Sequence, residues 1–248
     1  MATSRGCGEL LEWDSAFFER RIGRIHASTL TEGLMRDIEQ WAADAHIECL
    51  YFLADPTDRL TVQLAAERRF ELTDIRVTLE SASHAVTPVR ETPVVRPWGD
   101  GDVPALRRLA AASHRDSRFY YDRHLAREQC DRLYATWIEK SCLGYADVVL
   151  VADLAGEPVG YVSLHRRAPS AASIGLIAVD PSMRGVGCGR ALIASALEWS
   201  GRHGLRPVTV VTQARNVHGL RLYERCGFVT TSVQLWYHWW PAADGGSR

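Results

Sequence analysis

Neither sign of charge is in surplus in this chain of 248 residues: 29 Lys and Arg face 30 Asp and Glu, for a formal net charge of -1. No global field draws such a protein to nucleic acid or to an anionic membrane, so any anion site must be local. No apolar run approaches the roughly 18 residues of a membrane helix, and residues 1–9 lack the basic start and apolar stretch of a signal peptide. A cytoplasmic protein, neither exported nor embedded, is expected. The six cysteines, Cys7, Cys49, Cys130, Cys142, Cys188 and Cys226, form no CxxC pair and have no histidine at zinc spacing. They read as reduced thiols of core or loop, and no metal is expected. No Ser-His-Asp or Cys-His arrangement is legible either, which disfavours an acyl-enzyme.

What is present is an ordinary globular composition, with 46% hydrophobic and 24% charged residues. The length admits one or two domains. Periodicity alternates throughout. A strand over 22–26 precedes a helix over 32–45 with Thr31 as its N-cap. An apolar run over 49–54, a helix over 57–68 and a strand over 70–80 follow. Residues 81–98 hold Pro88, Pro93 and Pro97 among few large apolar residues, which reads as a linker. The expected division is therefore a smaller N-terminal α/β domain over 1–90 and a second domain over 91–248. Beyond the linker, Asp102 is the expected cap of a helix over 103–113 with Pro104 in its first turn. A helix over 128–141, a hairpin over 148–152 and 159–164, a strand over 173–179, a helix to 202, a strand over 208–212, a helix over 216–226 and a final strand complete an α/β order.

Residues 174–190, IGLIAVDPSMRGVGCGR, carry the most chemistry. A buried strand gives way to Arg184, Gly185, Val186, Gly187, Cys188, Gly189 and Arg190 just before an amphipathic helix. Glycines accept positive φ and let the backbone approach a ligand, leaving successive N–H groups aimed from a helix N-terminus, where a pyrophosphate is stabilised. The Lys-Ser/Thr of a nucleoside triphosphate loop is missing, as is the acidic residue of a dinucleotide fold. A glycine-rich turn without a ligand is the plainer alternative.

The spacing Arg184-x-x-Gly187-x-Gly189, following Ala178-Val179-Asp180-Pro181, resembles the acetyl-CoA signature of the GNAT superfamily of N-acetyltransferases. The resemblance implies a GNAT fold: a central mixed, splayed β-sheet flanked by helices, here preceded by a smaller degenerate GNAT-like N-terminal domain. It implies acetyl-CoA as cosubstrate, with the backbone of Ile177, Ala178 and Val179 along the pantetheine arm and the amides of residues 184–190 at the pyrophosphate. Residues 216–228, NVHGLRLYERCGF, resemble the later helix of the superfamily. Asn216 is assigned to the cofactor site, although its position also suits an N-cap. Tyr223 takes the place of the phenol that donates a proton to the departing thiolate, and a reference pKa of about 10 keeps it protonated at neutral pH. A tyrosine merely packed on the sheet is the alternative.

The loop over 114–127, HRDSRFYYDRHLAR, sets Arg115, Arg118, Arg123 and Arg127 around Phe119, Tyr120 and Tyr121. Arginine forks suit a diphosphate and aromatic faces suit a base or sugar ring. Arg115, Arg118, Phe119, Tyr120 and Tyr121 are thus the substrate candidates. His114, Asp116, Asp122 and His124 are each read as solvated, leaving the general base unassigned or replaced by a water chain. The segments LEWDSAFF (11–18), SRF (117–119), YATWI (134–138) and GYVSL (160–164) together resemble the TDP-fucosamine acetyltransferases. That implies a TDP-linked 4-amino-4,6-dideoxy sugar as acceptor. Leu222 departs from the pattern, which has a basic residue before the tyrosine, so Arg221 or Arg225 would have to serve any phosphate there. A GNAT enzyme for another small amine, and a non-catalytic acyl-CoA sensor, are the rival readings; the sensor has no need of Tyr223. In the run QLWYHWW (234–240), Leu235, Tyr237 and Trp239 fall on one strand face and Trp236, His238 and Trp240 on the other. Both faces demand cover, by core packing or by a homodimer contact.

Overall fold

The computed structural model describes residues 6–82, 93–167 and 169–241, and the chain divides into two compact units. The first comprises Met1–Arg76, Arg118–Leu125 and Val233–Arg248; the second comprises Val77–Ser117 and Ala126–Ser232. The domain boundary expected near residue 90 lies outside the described residues.

In the first unit, β1 (Gly8–Leu10), α1 (Glu12–Phe18), β2 (Ile22–Ile25), α2 (Glu32–Asp44), β3 (Cys49–Ala54) and α3 (Arg59–Glu67) lead into β4 (Glu71–Ser81). The strand order is β1-β2-β3-β10-β4, where β10 is Val229–Trp239. Helix α2 starts where the sequence says it should: the Thr31 hydroxyl accepts the Leu34 amide at 3.2 Å, and Met35, Ile38 and Ala42 recur at helical spacing on the buried side. Asp58 caps α3 in the same way, at 2.9 Å from the Thr61 amide. The end of β10, from Tyr237 to Trp239, is buried on both faces. Tyr237 stacks on Phe52, and Trp239 stacks on Phe70 with centroids 5.3 Å apart, within the core of this unit. On the other face His238 stacks on Tyr51 at 4.5 Å. Core packing thus accounts for this aromatic run.

In the second unit, β5 (Val94–Pro97), α4 (Val103–Ala112), α5 (Arg127–Lys140), β6 (Val148–Leu154), β7 (Glu157–Arg167), β8 (Ala171–Val179), α6 (Cys188–Arg202), β9 (Val208–Gln213) and α7 (Val217–Arg225) follow in chain order. The strand order runs β4-β9-β8-β7-β6-β5. Pairing is antiparallel from β5 to β8 and parallel between β8 and β9, which gives a mixed α/β sheet. Leu192, Ile193, Ala196 and Leu197 of α6 bury against Leu150, Val162, Leu164, Ile174 and Val210.

Two expectations are corrected here. The stretch read as a linker or domain crossing contains β5, a four-residue edge strand paired with β6 alone, where a proline costs no ladder bond. Asp102 does not cap α4, because Arg96 captures it: Nη1 and Nη2 lie 2.7 and 3.0 Å from its carboxylate oxygens, while Nε and Nη2 also reach Asp153 Oδ2 at 2.9 and 2.6 Å. The Arg96 guanidinium holds the Asp102 carboxyl below its ordinary range, and the Gly156 amide, with Arg96 second, does the same for Asp153; Arg96 thus ties β5 to β6 and to the turn before α4.

All six cysteines are unbridged and buried. Among the described residues no helix is long and apolar enough to cross a membrane.

Candidate active site

The site grows from one irregularity in β8. Between the pairs Val162–Ile177 and Leu164–Ile174, β7 advances two residues and β8 three. One residue of β8 is therefore extra, and the strand bulges at Gly175 and Leu176. Ser163 secures the bulge by accepting the Leu176 amide at 2.9 Å on its hydroxyl. Any side chain at 175 would force His165 and Ser163 to move, since a Cβ there would stand 2.5 Å from His165 Nε2 and 2.9 Å from Ser163 Oγ. The consequence falls on the other edge of β8. It pairs with β9 through Ala172–Val208, Ser173–Thr209 and Ile174–Val210, all before the bulge. Ile177, Ala178 and Val179 are paired to β7 alone among the described residues, so their outer backbone edge faces the gap where β8 and β9 part.

Val179 leads directly into the glycine loop. Asp180 accepts the Ser182 amide at 2.8 Å and its hydroxyl at 2.5 Å, a local turn that brings the chain round to the start of α6. Gly185 and Gly187 have φ of +83° and +89°, a region where side-chain-bearing residues are strained. A Cβ at Gly185 would meet nothing within 4 Å, so glycine is required there by conformation and not by crowding. Gly187 is the N-cap of α6 and offers no side chain to its free amides, leaving them to a ligand. Arg184 is exposed. Arg190, in the first turn, has its Nε buried with no hydrogen-bond partner, an expensive arrangement unless an anion completes it.

Helix α7 closes the group. Asn216 caps it, its Oδ1 accepting the Gly219 amide at 3.0 Å and its Nδ2 donating to Thr212 Oγ1 at 3.0 Å; the amide is thus fully engaged in starting the helix. Leu222, unexpected in place of a basic residue, has a packing role: a Cβ on Gly189 would lie 2.8 Å from Leu222 Cδ2 and 3.8 Å from Val179 Cγ2. Gly189 is therefore the point at which α6, α7 and the end of β8 converge. Tyr223, one residue on, is 4% exposed, with its ring 5.9 Å from Phe228. It shares an apolar cluster with Cys188, against which Ile177 and Val179 pack. Burial pushes its phenol pKa well up, so it holds its proton at any physiological pH.

The loop over 114–127 is solvated only in part: Tyr121, Arg123, His124, Ala126 and Arg127 are exposed, while Ser117, Phe119, Asp122 and Leu125 are buried. Its first four residues belong to the second unit, where His114, at φ +56°, stacks on Tyr134 with centroids 4.5 Å apart and shares a 2.9 Å hydrogen bond through Nε2 with the Tyr161 hydroxyl. Burial lowers the pKa of His114 to about 4, so the imidazole is neutral. Arg115 in the same unit lies 3.6 Å from Asp131. Arg118–Leu125 belongs to the first unit. Arg118 lays its guanidinium over Phe119, Tyr51 and Trp236 at 4.0 to 4.4 Å from the ring centroids; Phe119 is 3% exposed and stacked on Phe18, Tyr120 is half-buried, and Tyr121 is 54% exposed.

Asp122, read from sequence as solvated, is buried at 2%. It accepts from His238 Nδ1 at 2.5 Å, Trp240 Nε1 at 3.1 Å and the His124 amide at 2.8 Å. Burial alone would raise its pKa, but these donors outweigh that and hold it low. Cys49 comes close enough to Asp122 and His238 for the three to share an ion, yet the hydrogen bonds already account for the arrangement.

Residues 104–228 match the acetyltransferase (GNAT) family. The spore coat polysaccharide biosynthesis protein SpsD of Bacillus subtilis is 34% identical over 144 residues, 58% of this chain and 50% of that protein. A dTDP-fucosamine acetyltransferase of Escherichia coli is 34% identical over 139 residues, 55% of this chain and 59% of its own length. A mycothiol acetyltransferase of Salinispora tropica is 27% identical over 247 residues, 94% of this chain and 73% of that one. The chain thus spans about half the length of the first two relatives.

Proposed function

Because the chain belongs to the acetyltransferase (GNAT) family, we propose that its 91–248 domain moves the acetyl group of acetyl-CoA onto the amine of a small acceptor by direct attack in a ternary complex. The observation that carries this is the convergence of three things at Gly189: the free edge of β8 at Ile177, Ala178 and Val179, the uncapped start of α6, and Tyr223 of α7. Acetyl-CoA supplies an activated thioester. The amides of residues 184–190, with the guanidiniums of Arg184 and Arg190, hold its pyrophosphate; Arg190 Nε gains the partner that it otherwise lacks. The unpaired backbone of Ile177 and Val179 aligns the pantetheine arm, and an N–H there stabilises negative charge developing on the acyl oxygen. Tyr223 gives its proton to the sulfur as it departs, and the proton that the attacking amine loses leaves through water, from which the phenol is reprotonated. Asn216 supports the site by fixing the first turn of α7.

The acceptor is proposed to be a TDP-linked 4-amino-4,6-dideoxy sugar, in line with the dTDP-fucosamine acetyltransferase relative and with the polysaccharide role in the name of the other. Arg115, Arg118, Phe119, Tyr120 and Tyr121 are the proposed acceptor residues. The experiment is free-thiol release from acetyl-CoA against TDP-4-amino sugars, TDP-3-amino sugars and unlinked amines. Saturable release with a TDP-4-amino sugar alone is expected. Release with an unlinked amine alone keeps acetyl transfer and discards the nucleotide sugar; the mycothiol acetyltransferase likeness across 94% of the chain favours that second reading.

Gly187→Val tests the cradle. A β-branched residue at φ +89° costs about 1 to 3 kcal/mol and redirects the amides, so CoA affinity should fall at least about tenfold by calorimetric titration while circular dichroism stays unchanged. A folded Gly187→Val protein that binds CoA normally places the cradle elsewhere.

A further inference from the structure

One face of the sheet in the first unit brings three arginines, Arg24, Arg76 and Arg118, close to Trp236. Register sets that face: Arg24 lies opposite Tyr51, Tyr51 opposite His238, and Leu53 opposite Trp236, and residues directly across a ladder share a side. A pocket of about 330 Å³ opens there, lined by Arg24, His26, Ser28, Leu53, Arg76 and Trp236. Its cations differ in their partners. Arg24 is ion-paired with Glu9, which also lies 3.9 Å from His26 Nε2. Arg76 has no hydrogen bond or ion pair among the described residues. Burial depresses its pKa, and the one charge that adds to the effect is Arg118, another cation. Arg118 in turn rests on Trp236, with its Nη1 buried and unpartnered. Burial raises the pKa of Asp14, and the charges of Arg118 and Arg24 act against that rise.

A half-buried guanidinium beside a second one, with no counter-charge among the described residues, carries a charge that a bound anion would compensate. We propose that this pocket binds a phosphate-bearing small molecule, with its phosphate or diphosphate on the Arg76 guanidinium and its ring portion against Trp236. Recognition here is by side chains. The Leu30 amide already donates to Thr61 Oγ1 at 2.7 Å and the Leu34 amide to Thr31 Oγ1 at 3.2 Å, and residues 26–31 contain no glycine, so nothing like the α6 backbone cradle is available. The proposal does not depend on the acetyl-transfer reading, since binding alone tests it.

The same chemistry has two sources, a free phosphate compound or the diphosphate of a nucleotide-linked acceptor. Calorimetric titration of the full chain with inorganic diphosphate and with TDP, each in saturating CoA to fill the α6 cradle, should show saturable binding by wild type. Arg76→Gln should bind at least about tenfold more weakly, and Arg76→Lys, with the charge but not the fork, should fall between. Without ligand, Arg76→Gln should melt no lower than wild type, because it removes an uncompensated charge; diphosphate should raise the melting temperature of wild type alone. A KM for TDP-linked acceptor that rises in Arg76→Gln identifies the acceptor as the source; unchanged steady-state constants with lost diphosphate binding identify a separate ligand. Equal affinity in wild type and Arg76→Gln, or no binding by wild type, overturns the proposal.

Discussion

Tyr223→Phe is expected to lower kcat by about 10²- to 10⁴-fold, the usual contribution of a placed general acid, while acetyl-CoA affinity stays within twofold of wild type. The split follows from what the hydroxyl touches. Among the described residues its phenol has no hydrogen-bond partner, so the substitution deletes no internal bond, and the ring keeps its place beside Phe228. Thermal stability should therefore hold. Burial, which pushes the phenol pKa up, makes Tyr223 a poor acid until negative charge builds on a nearby sulfur, so its contribution is confined to the transition state and should leave CoA binding untouched. Single-turnover thiol release separates chemistry from product release. Unchanged single-turnover rates in Tyr223→Phe would reduce the tyrosine to a packing residue and shift the proton to water.

The parts of this site legible from sequence are those whose chemistry is local. Gly185 and Gly187 announce themselves because two closely spaced glycines just before an apolar helical period mark a backbone that turns through positive φ, as both do. Thr31 and Asn216 are legible as caps for the same reason, since an N-cap bonds an amide three residues ahead. Edge strand β5 is hidden by its own proline, because its identity depends on β6, more than 50 residues away. The splay of β8 from β9 is implied by family resemblance and not by any pattern in 171–179. Its physical origin, the bulge at Gly175 and Leu176, does leave a signal: an isolated glycine inside an apolar strand marks a bulge or a close approach.

Asp122 shows the opposite limit. Within HRDSRFYYDRHLAR it is indistinguishable from Asp116, and both are flanked by arginines and aromatics. What separates them is His238, 116 residues downstream, which meets only Asp122. A buried carboxylate with three donors is a long-range product of folding, and local polarity predicts solvation instead. The substrate loop is legible only in part for the same reason: its arginines and rings stand out in the sequence, but the packing of Phe119 on Phe18 and of Arg118 on Tyr51 and Trp236 depends on residues far away in the chain.

Acidification between pH 7.5 and pH 5 should cost this protein on the order of 4 kcal/mol of stability through two histidines, and His165, whose pKa burial also lowers, adds to that loss. Burial depresses the pKa of both His114 and His238 to about 4, against about 6.5 in an unfolded chain. Between those values the unfolded state binds protons that the folded state refuses, so stability rises with pH through the window and falls as pH drops through 6.5. At about 1.4 kcal/mol per pH unit, each residue loses roughly 2 kcal/mol by pH 5 and nothing further below its folded pKa. Asp122 acts in a lower window: its depressed pKa adds stability above about 3.9 that disappears as pH falls toward the folded value. Urea melts at pH 7.5 and 5.0 read the slope directly. His114→Asn, which tolerates the φ of +56°, should remove a large share of it, and His238→Asn a further share, whatever either substitution does to absolute stability. A slope unchanged in both variants would mean that the two rings are solvated in the native protein, and the neutral His114–Tyr161 contact would lose its basis.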